Sequence, residues 1–234
     1  MKISVIVPAY NEEKLLAGTL ACIHAATGSL REHEWELIVC DNNSTDHTAE
    51  LARAAGAQLV FEPVNQISRA RNAGAACAQG EWLVFVDADC RPTPQLFSEM
   101  VKTIEAGECI AGGSTIEMET EDVLARLAVR TWNGLSRITR WAAGSFIFCQ
   151  AAALRRVGGF NEELYAAEEI DLSRRLKRCG RVVILHRHPL RTSGRKAELY
   201  TVREMLVFMF KTMLSGGRNL RRREACYAWY DGRR

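Results

Sequence analysis

Residues 3–8, 37–40, 59–61 and 82–86 are short runs rich in β-branched and apolar side chains, and each is separated from the next by a stretch of helical character. A short apolar run bounded by turn residues reads as a buried strand. Asn11 is suited to cap a helix starting at Glu12, where acidic side chains would complement the helix dipole. The polar run Asp41-Asn42-Asn43-Ser44-Thr45-Asp46 leads into a helix ending near Gly56, and residues 68–78 form a small-residue helix stopped by Gly80. The fourth run enters Asp87-Ala88-Asp89 and then the breakers Pro92 and Pro94. A strand–helix alternation of this kind builds a mostly parallel sheet with helices on both faces. Ligands on such sheets bind beyond the carboxyl ends of the strands. Asp41, Asp87 and Asp89 all fall at such ends, so the pattern predicts three carboxylates converging on one crevice.

The second half is less regular. Residues 109–118 read as a strand, 121–141 as a helix, 146–149 as a short strand, 168–178 as a helix stopped by Gly180, and 182–185 as a further strand. A basic stretch without acids follows at 186–196, and from Leu199 a hydrophobic helix precedes an arginine-rich segment at 218–223. With 234 residues, 47% hydrophobic and 25% charged, the chain suits one globular α/β domain with a helical appendage. A net charge of +3 does not point to nucleic acid. Neither an export signal nor a membrane span is expected. Eight scattered cysteines, without zinc spacing, are expected to be reduced in a cytoplasmic protein, several of them, such as Cys40 and Cys149, as small core residues. No G-x-G-x-x-G follows the first strand and no P-loop pattern occurs, which argues against dinucleotide-dependent redox chemistry and P-loop chemistry.

Asp87 and Asp89 have the hard oxygen donors that a divalent cation takes while it keeps positions for water and phosphate. The same triplet also serves as a polar strand-end turn. Around it the ordered blocks Val5-Ile6-Val7-Pro8-Ala9-Tyr10-Asn11-Glu12-Glu13, Cys40-Asp41-Asn42-Asn43-Ser44-Thr45-Asp46, Arg69-Ala70-Arg71-Asn72-Ala73-Gly74 and Phe85-Val86-Asp87-Ala88-Asp89 resemble glycosyltransferase family 2. Gly158-Gly159-Phe160-Asn161-Glu162 and Glu168-Glu169-Ile170-Asp171-Leu172 continue the likeness. The resemblance implies a GT-A fold, α/β and Rossmann-like, with a mostly parallel central sheet and a C-terminal helical extension. The implied division is a transferase domain at 1–198 (a nucleotide-binding half at 1–90, an acceptor half at 91–198) and a helical basic tail at 199–234.

The resemblance also assigns roles. Pro8, Ala9, Tyr10 and Glu12 would line the nucleoside pocket, Asp41 would bond the base, and Arg71 would lie near the nucleotide. Asp87 would face the ribose or a metal-bound water. Asp89 would ligate Mn²⁺ or Mg²⁺, with His188 or His186 completing the shell. Arg195, in a mobile basic loop, would clamp the diphosphate. Glu169 would be the base that accepts the acceptor proton, with Glu168 and Asp171 as substitutes; the family usually has Glu-Asp where this chain has Glu168-Glu169. Plainer readings stand beside these: packing for Tyr10, a solvated helix face for Arg69 and Arg71, dipole compensation for the acidic run, and structural or exposed histidines.

The implied reaction is inverting transfer of a sugar from a nucleotide diphosphate, UDP foremost, to a hydroxyl on a sugar, a lipid-linked or a small-molecule acceptor, as in cell envelope polysaccharide synthesis. A retaining transferase of the mannosylglycerate synthase type and a silent nucleotide-sugar binding module are the alternatives. The tail mixes apolar and arginine residues. A helix packed on the core is its default reading, and peripheral contact with the inner face of a membrane the second.

Overall fold

A computed structural model describes residues 1–28, 30, 32–195, 199–200 and 202–230. Its centre is an eight-stranded sheet in the order β3-β2-β1-β4-β7-β6-β8-β5. The strands are β1 Lys2–Ala9, β2 Glu34–Asp41, β3 Gln58–Phe61, β4 Trp82–Val86, β5 Cys90–Arg91, β6 Ala111–Glu119, β7 Phe146–Gln150 and β8 Val182–Ser193. The strands of the N-terminal half pair in parallel, β1 with β2 and β4, and β2 with β3. In the second half β7 runs against both β4 and β6, while β6 and β8 are parallel. This is a GT-A fold.

Helices cover both faces: α1 Leu16–Thr27, α2 Thr48–Ala54, α3 Ile67–Cys77, α4 Pro94–Glu105, α5 Val123–Thr139, α6 Ala151–Arg156 and α7 Glu168–Leu176, followed by α8 Val202–Leu214 and the short α9 Tyr227–Tyr230. Alternate residues of β1 serve opposite layers, as strand geometry requires. Ile3, Val5 and Val7 pack with Leu20 of α1 and with Phe97 and Met100 of α4. Ile6, Ile38 and Phe85 pack on the other face with Phe160 and with Leu172 and Leu176 of α7. A β-carbon on Gly74 of α3 would stand 2.5 Å from Ile6 Cγ2, so this glycine lets α3 lie flat on β1. Cys40 and Cys149 are buried, and burial pushes both thiols up to about 12.

Three local expectations are corrected. The first helix starts at Leu16, not Glu12, because Asn11 takes a left-handed turn (φ 51°) and its side-chain oxygen accepts from the Thr45 backbone across the loop. Pro94 starts α4 instead of breaking the chain: Thr93 caps it through the Leu96 N–H at 3.2 Å, and proline suits a first helical position. The strand expected at 182–185 continues to Ser193, so most of the basic stretch is β8.

Beyond β8 the tail packs through Phe208 and Cys226 on Ala166, next to Tyr165, Tyr227 and Tyr230. The Tyr165 N–H also donates to the Leu220 carbonyl at 2.8 Å. The expected boundary at residue 198 falls outside the described residues. Among the described residues, no helix is long and apolar enough to cross a membrane.

Candidate active site

The parallel register places Ala9 beside Asp41 and Ile6 beside Phe85, so β1 and β2 end at one level and β4 ends two residues short of it. Beyond those ends lies a cavity lined by Pro8, Ala9, Tyr10, Glu12, Asn42, Asp87, Asp89 and Arg195. Six of the eight residues expected to bind the nucleotide or a metal in the first half therefore meet there: Pro8, Ala9, Tyr10, Glu12, Asp87 and Asp89. Asp41 is buried beside the cavity, and its carboxylate accepts from the Ser44 N–H at 3.0 Å. Its neighbour Asn42 faces the cavity. Asn42 is locked by donating to the Glu62 and Val64 carbonyls and accepting from the Gln66 N–H.

Arg195 donates to both oxygens of Glu12 at 2.8 Å and stands 3.7 Å from Asp89. The Glu12 hydrogen bond, set against partial burial, raises the guanidinium above its ordinary range. Asp89 also accepts from the Ser193 hydroxyl at 2.7 Å, which ties the end of β4 to the end of β8. Arg195 is thus pinned across the acidic mouth of the cavity; Lys196 lies outside the described residues.

Arg71, expected to lie near the nucleotide, stands behind Asp87 of the cavity wall. It is 1% exposed and donates to Glu168 at 2.6 Å, to Asp87 at 2.8 Å and to the Gly144 carbonyl at 2.9 Å. Burial opposes its charge, but the carboxylates of Asp87, Glu168 and Glu169 raise its pKa further. Arg69, by contrast, bridges Glu62 and Glu162 at the surface. Asn72 holds the turn before α7 through the Phe160 backbone, and Gly159 (φ 75°) leaves room for it: a β-carbon there would lie 2.7 Å from the Asn72 oxygen. Through these contacts α3 sets the position of the acidic N-terminus of α7.

Glu169 sits at that N-terminus, under Gly144. Burial, reinforced by the charge of Glu168 and opposed by Arg71, pushes its carboxyl up to about 8. Glu168 and Glu169 lie behind the cavity wall and communicate with it through Arg71 and Asp87. Asp171 turns away: it pairs with Arg175 at 2.7 Å and lines a separate hollow with Trp141 and Arg174. His186 and His188 are also separated from the aspartates. Their backbone N–H groups donate to Glu99 of α4, and both line a cavity between α4 and β8. The long β8 carries them to that face, which removes the reason for grouping them with Asp89.

Several cavity residues carried no sequence signal: Asn65 before α3 and Ile67 at its start, and Tyr200, Ala228 and Tyr230 from the tail. The Tyr230 hydroxyl accepts from the Ile67 N–H at 3.4 Å and its ring packs on Tyr165. Only the hydrophobic character of the tail hinted that it returns to the site.

Residues 4–163 match the model of Glycosyl transferase family 2. The chain belongs to this family. Glycosyltransferase AglE of Haloferax volcanii is 34% identical over 120 residues, covering 48% of this chain and 38% of that protein. The undecaprenyl-phosphate 4-deoxy-4-formamido-L-arabinose transferase of Edwardsiella ictaluri is 30% identical over 162 residues, covering 65% and 49%. The chain thus spans about half or less of the length of these relatives. Among solved structures, the Pyrobaculum calidifontis mannosyltransferase PcManGT in complex with GDP-Man and Mn²⁺ superposes with a TM-score of 0.71 at 20% identity, covering 96% of this chain and 64% of that one. S. aureus TarS with UDP-GlcNAc gives 0.67 at 22% identity, covering 83% and 59%. At these identities the structural likeness speaks for the fold.

Proposed function

We propose that this family 2 protein transfers a sugar from a nucleoside diphosphate donor, UDP foremost, to an acceptor hydroxyl, with a divalent metal and with inversion. The observation that carries this reading is one cavity at the strand ends, holding Asp87, Asp89 and Arg195, that is joined through Arg71 to the Glu168-Glu169 pair. The family membership and the nucleotide complexes of PcManGT and TarS support it.

Asp89, with Asp87, would hold Mn²⁺ or Mg²⁺. Two hard carboxylates on one wall fit such an ion, with water and phosphate oxygens filling the remaining positions. The Arg195 cation 3.7 Å from Asp89 marks the place as one that holds positive charge. When bound, the ion neutralises charge that builds on the leaving diphosphate. Arg195, presented by Glu12, supplies a planar donor fork for the same phosphates. Tyr200 and Tyr230 narrow the cavity and limit water around the anomeric carbon. Glu169, with its carboxyl raised to about 8, is a stronger base than an ordinary glutamate. Because it lies behind the cavity wall next to Gly144, the acceptor hydroxyl would come in on the Gly144 side, where Glu169 would take its proton. The names of relatives acting on undecaprenyl and dolichyl phosphates support a lipid-linked acceptor class.

A thermal-shift panel of UDP-, GDP- and dTDP-sugars with and without Mn²⁺ tests donor and metal together. A cognate donor at one hundred times its Kd stabilises by about 2.7 kcal/mol. Stabilisation by nucleotide alone, unaffected by Mn²⁺, would remove the metal from the reading. Product configuration by NMR then tests inversion: retention of the donor's anomeric configuration excludes Glu169 as the base of a direct displacement.

A further inference from the structure

Helix α5 shows an apolar face to water as well as one to the core. Its inner side holds the half-buried Val129 and Trp132 together with two polar contacts: Ser136 is buried with its hydroxyl on the Trp141 carbonyl, and the Asn133 amide both donates to and accepts from the Ile116 backbone. The opposite side carries Val123, Leu124, Leu127, Leu135 and Ile138, all exposed, Ile138 at 84%. At helical spacing these five form one continuous face. Arg126, Arg130 and Arg137 run along one border of that face, and no acidic residue occurs from 123 to 140. A soluble surface helix ordinarily shows water its polar side and not a leucine stripe.

α8 also exposes apolar side chains. Phe208 anchors it, and Val207, Phe210, Met213 and Leu214 point outward, Met213 at 78% exposure. Trp141, two residues past α5, and Thr212 of α8 line one hollow with Arg174, Arg218 and Arg222, and Asp171 there is already paired to Arg175. Arginines therefore lie between the end of α5 and the end of α8.

We propose that the outward faces of α5 and α8 seat this protein on an anionic phospholipid bilayer, with the apolar side chains in the headgroup region and the arginines on lipid phosphates. Charge decides the occupant. Self-association through α5 would bring two arginine rows together, whereas an anionic surface complements them, and apolar residues beside a basic border are what an interfacial helix needs. The inference does not depend on which donor or acceptor the cavity takes.

Flotation of the full chain with phosphatidylcholine vesicles, with and without phosphatidylglycerol, tests it. Binding is expected only with the anionic lipid and is expected to weaken with salt. The triple variant Arg126→Ala/Arg130→Ala/Arg137→Ala should lose about fivefold for each arginine removed, since each basic residue near such a surface contributes about one unit of 1 kcal/mol. The double variant Leu127→Glu/Ile138→Glu should not float. All five positions are exposed, and circular dichroism checks that the variants fold; Leu127→Gln/Ile138→Gln replaces the double variant if it does not. No flotation of the wild type with anionic vesicles, or flotation unchanged in both variants, overturns the proposal. So does a dimer in sedimentation velocity that Leu127→Glu/Ile138→Glu dissociates in the absence of lipid binding.

Discussion

Arg71 donates to Asp87 across 2.8 Å from a guanidinium that is almost wholly enclosed. Because its other terminal nitrogen holds Glu168, one side chain couples a cavity-wall carboxylate to the N-terminus of α7. Removing one partner from a buried ion pair leaves an uncompensated charge, which costs about 3–5 kcal/mol. Arg71→Met is therefore expected to lower unfolding free energy by about 3 kcal/mol in urea titration. Arg71→Lys keeps the charge but not the fork, and should retain the fold while lowering kcat. Arg71→Met melting like the wild type would show that the triad adds nothing to the fold.

The Glu12–Arg195 pair leads to an opposed pair of effects. Arg195 competes with any cation for the carboxylate of Asp89 and also offers donors to a diphosphate. Arg195→Ala is expected to bind Mn²⁺ alone more tightly, by a few-fold, and UDP with Mn²⁺ about tenfold more weakly, as loss of a charge-assisted hydrogen bond of about 1.5 kcal/mol implies. Isothermal titration calorimetry of the two ligands separates the signs. If both affinities fall together, Arg195 is not a competitor for the metal.

Glu169 sets a pH dependence. Its carboxyl in the folded chain holds a proton up to about 8, against an ordinary value of 4.5. A base must be unprotonated, so kcat/KM should rise with pH and level off above about 8. Glu169→Gln should lose about 10²–10⁴-fold and the ascending limb with it. Stability runs the other way. Between the unfolded and folded values the folded state binds more protons, so stability from this group is fully present below about 4.5 and declines as pH rises through about 8. Glu169→Gln should therefore melt higher than the wild type at alkaline pH. A flat rate profile across this range would sink Glu169 as base.

The nucleotide half was legible because each strand there is a compact apolar run that ends in a polar turn. β4 was read to the residue, and Asp87 and Asp89 fell where the strand ends put them. α4 is masked in the sequence by Pro92 and Pro94, which read as breakers, although a threonine cap, a first-position proline and Leu96, Phe97, Met100, Val101 and Ile104 spell an amphipathic helix. The burial of Arg71 had no local signature: a helix of alanines and glycines gives no hint that two carboxylates distant in sequence will enclose one arginine. The exposed stripe on α5 was equally silent, since a periodic pattern reveals an apolar face but not which way it turns.

The two histidines supply the last test. The apolar run at 182–185 reads as a strand that ends there, and the family resemblance implies that His186 or His188 beyond it completes a metal shell with Asp89. The strand instead continues, and the backbone N–H groups of both histidines are taken by Glu99 on another face. Metal affinity should therefore separate the two sets of candidates. His186→Ala/His188→Ala is expected to leave Mn²⁺ binding in the presence of UDP within about twofold, because substitutions away from a site typically act within about 0.5 kcal/mol. Asp89→Asn, which removes the carboxylate charge while keeping its shape, is expected to lose at least about 100-fold, the upper range for disturbing a metal shell. Electron paramagnetic resonance of free Mn²⁺ during titration measures both. A loss in the histidine variant equal to that in Asp89→Asn would mean that β8 rearranges when the donor binds and brings a histidine to the ion.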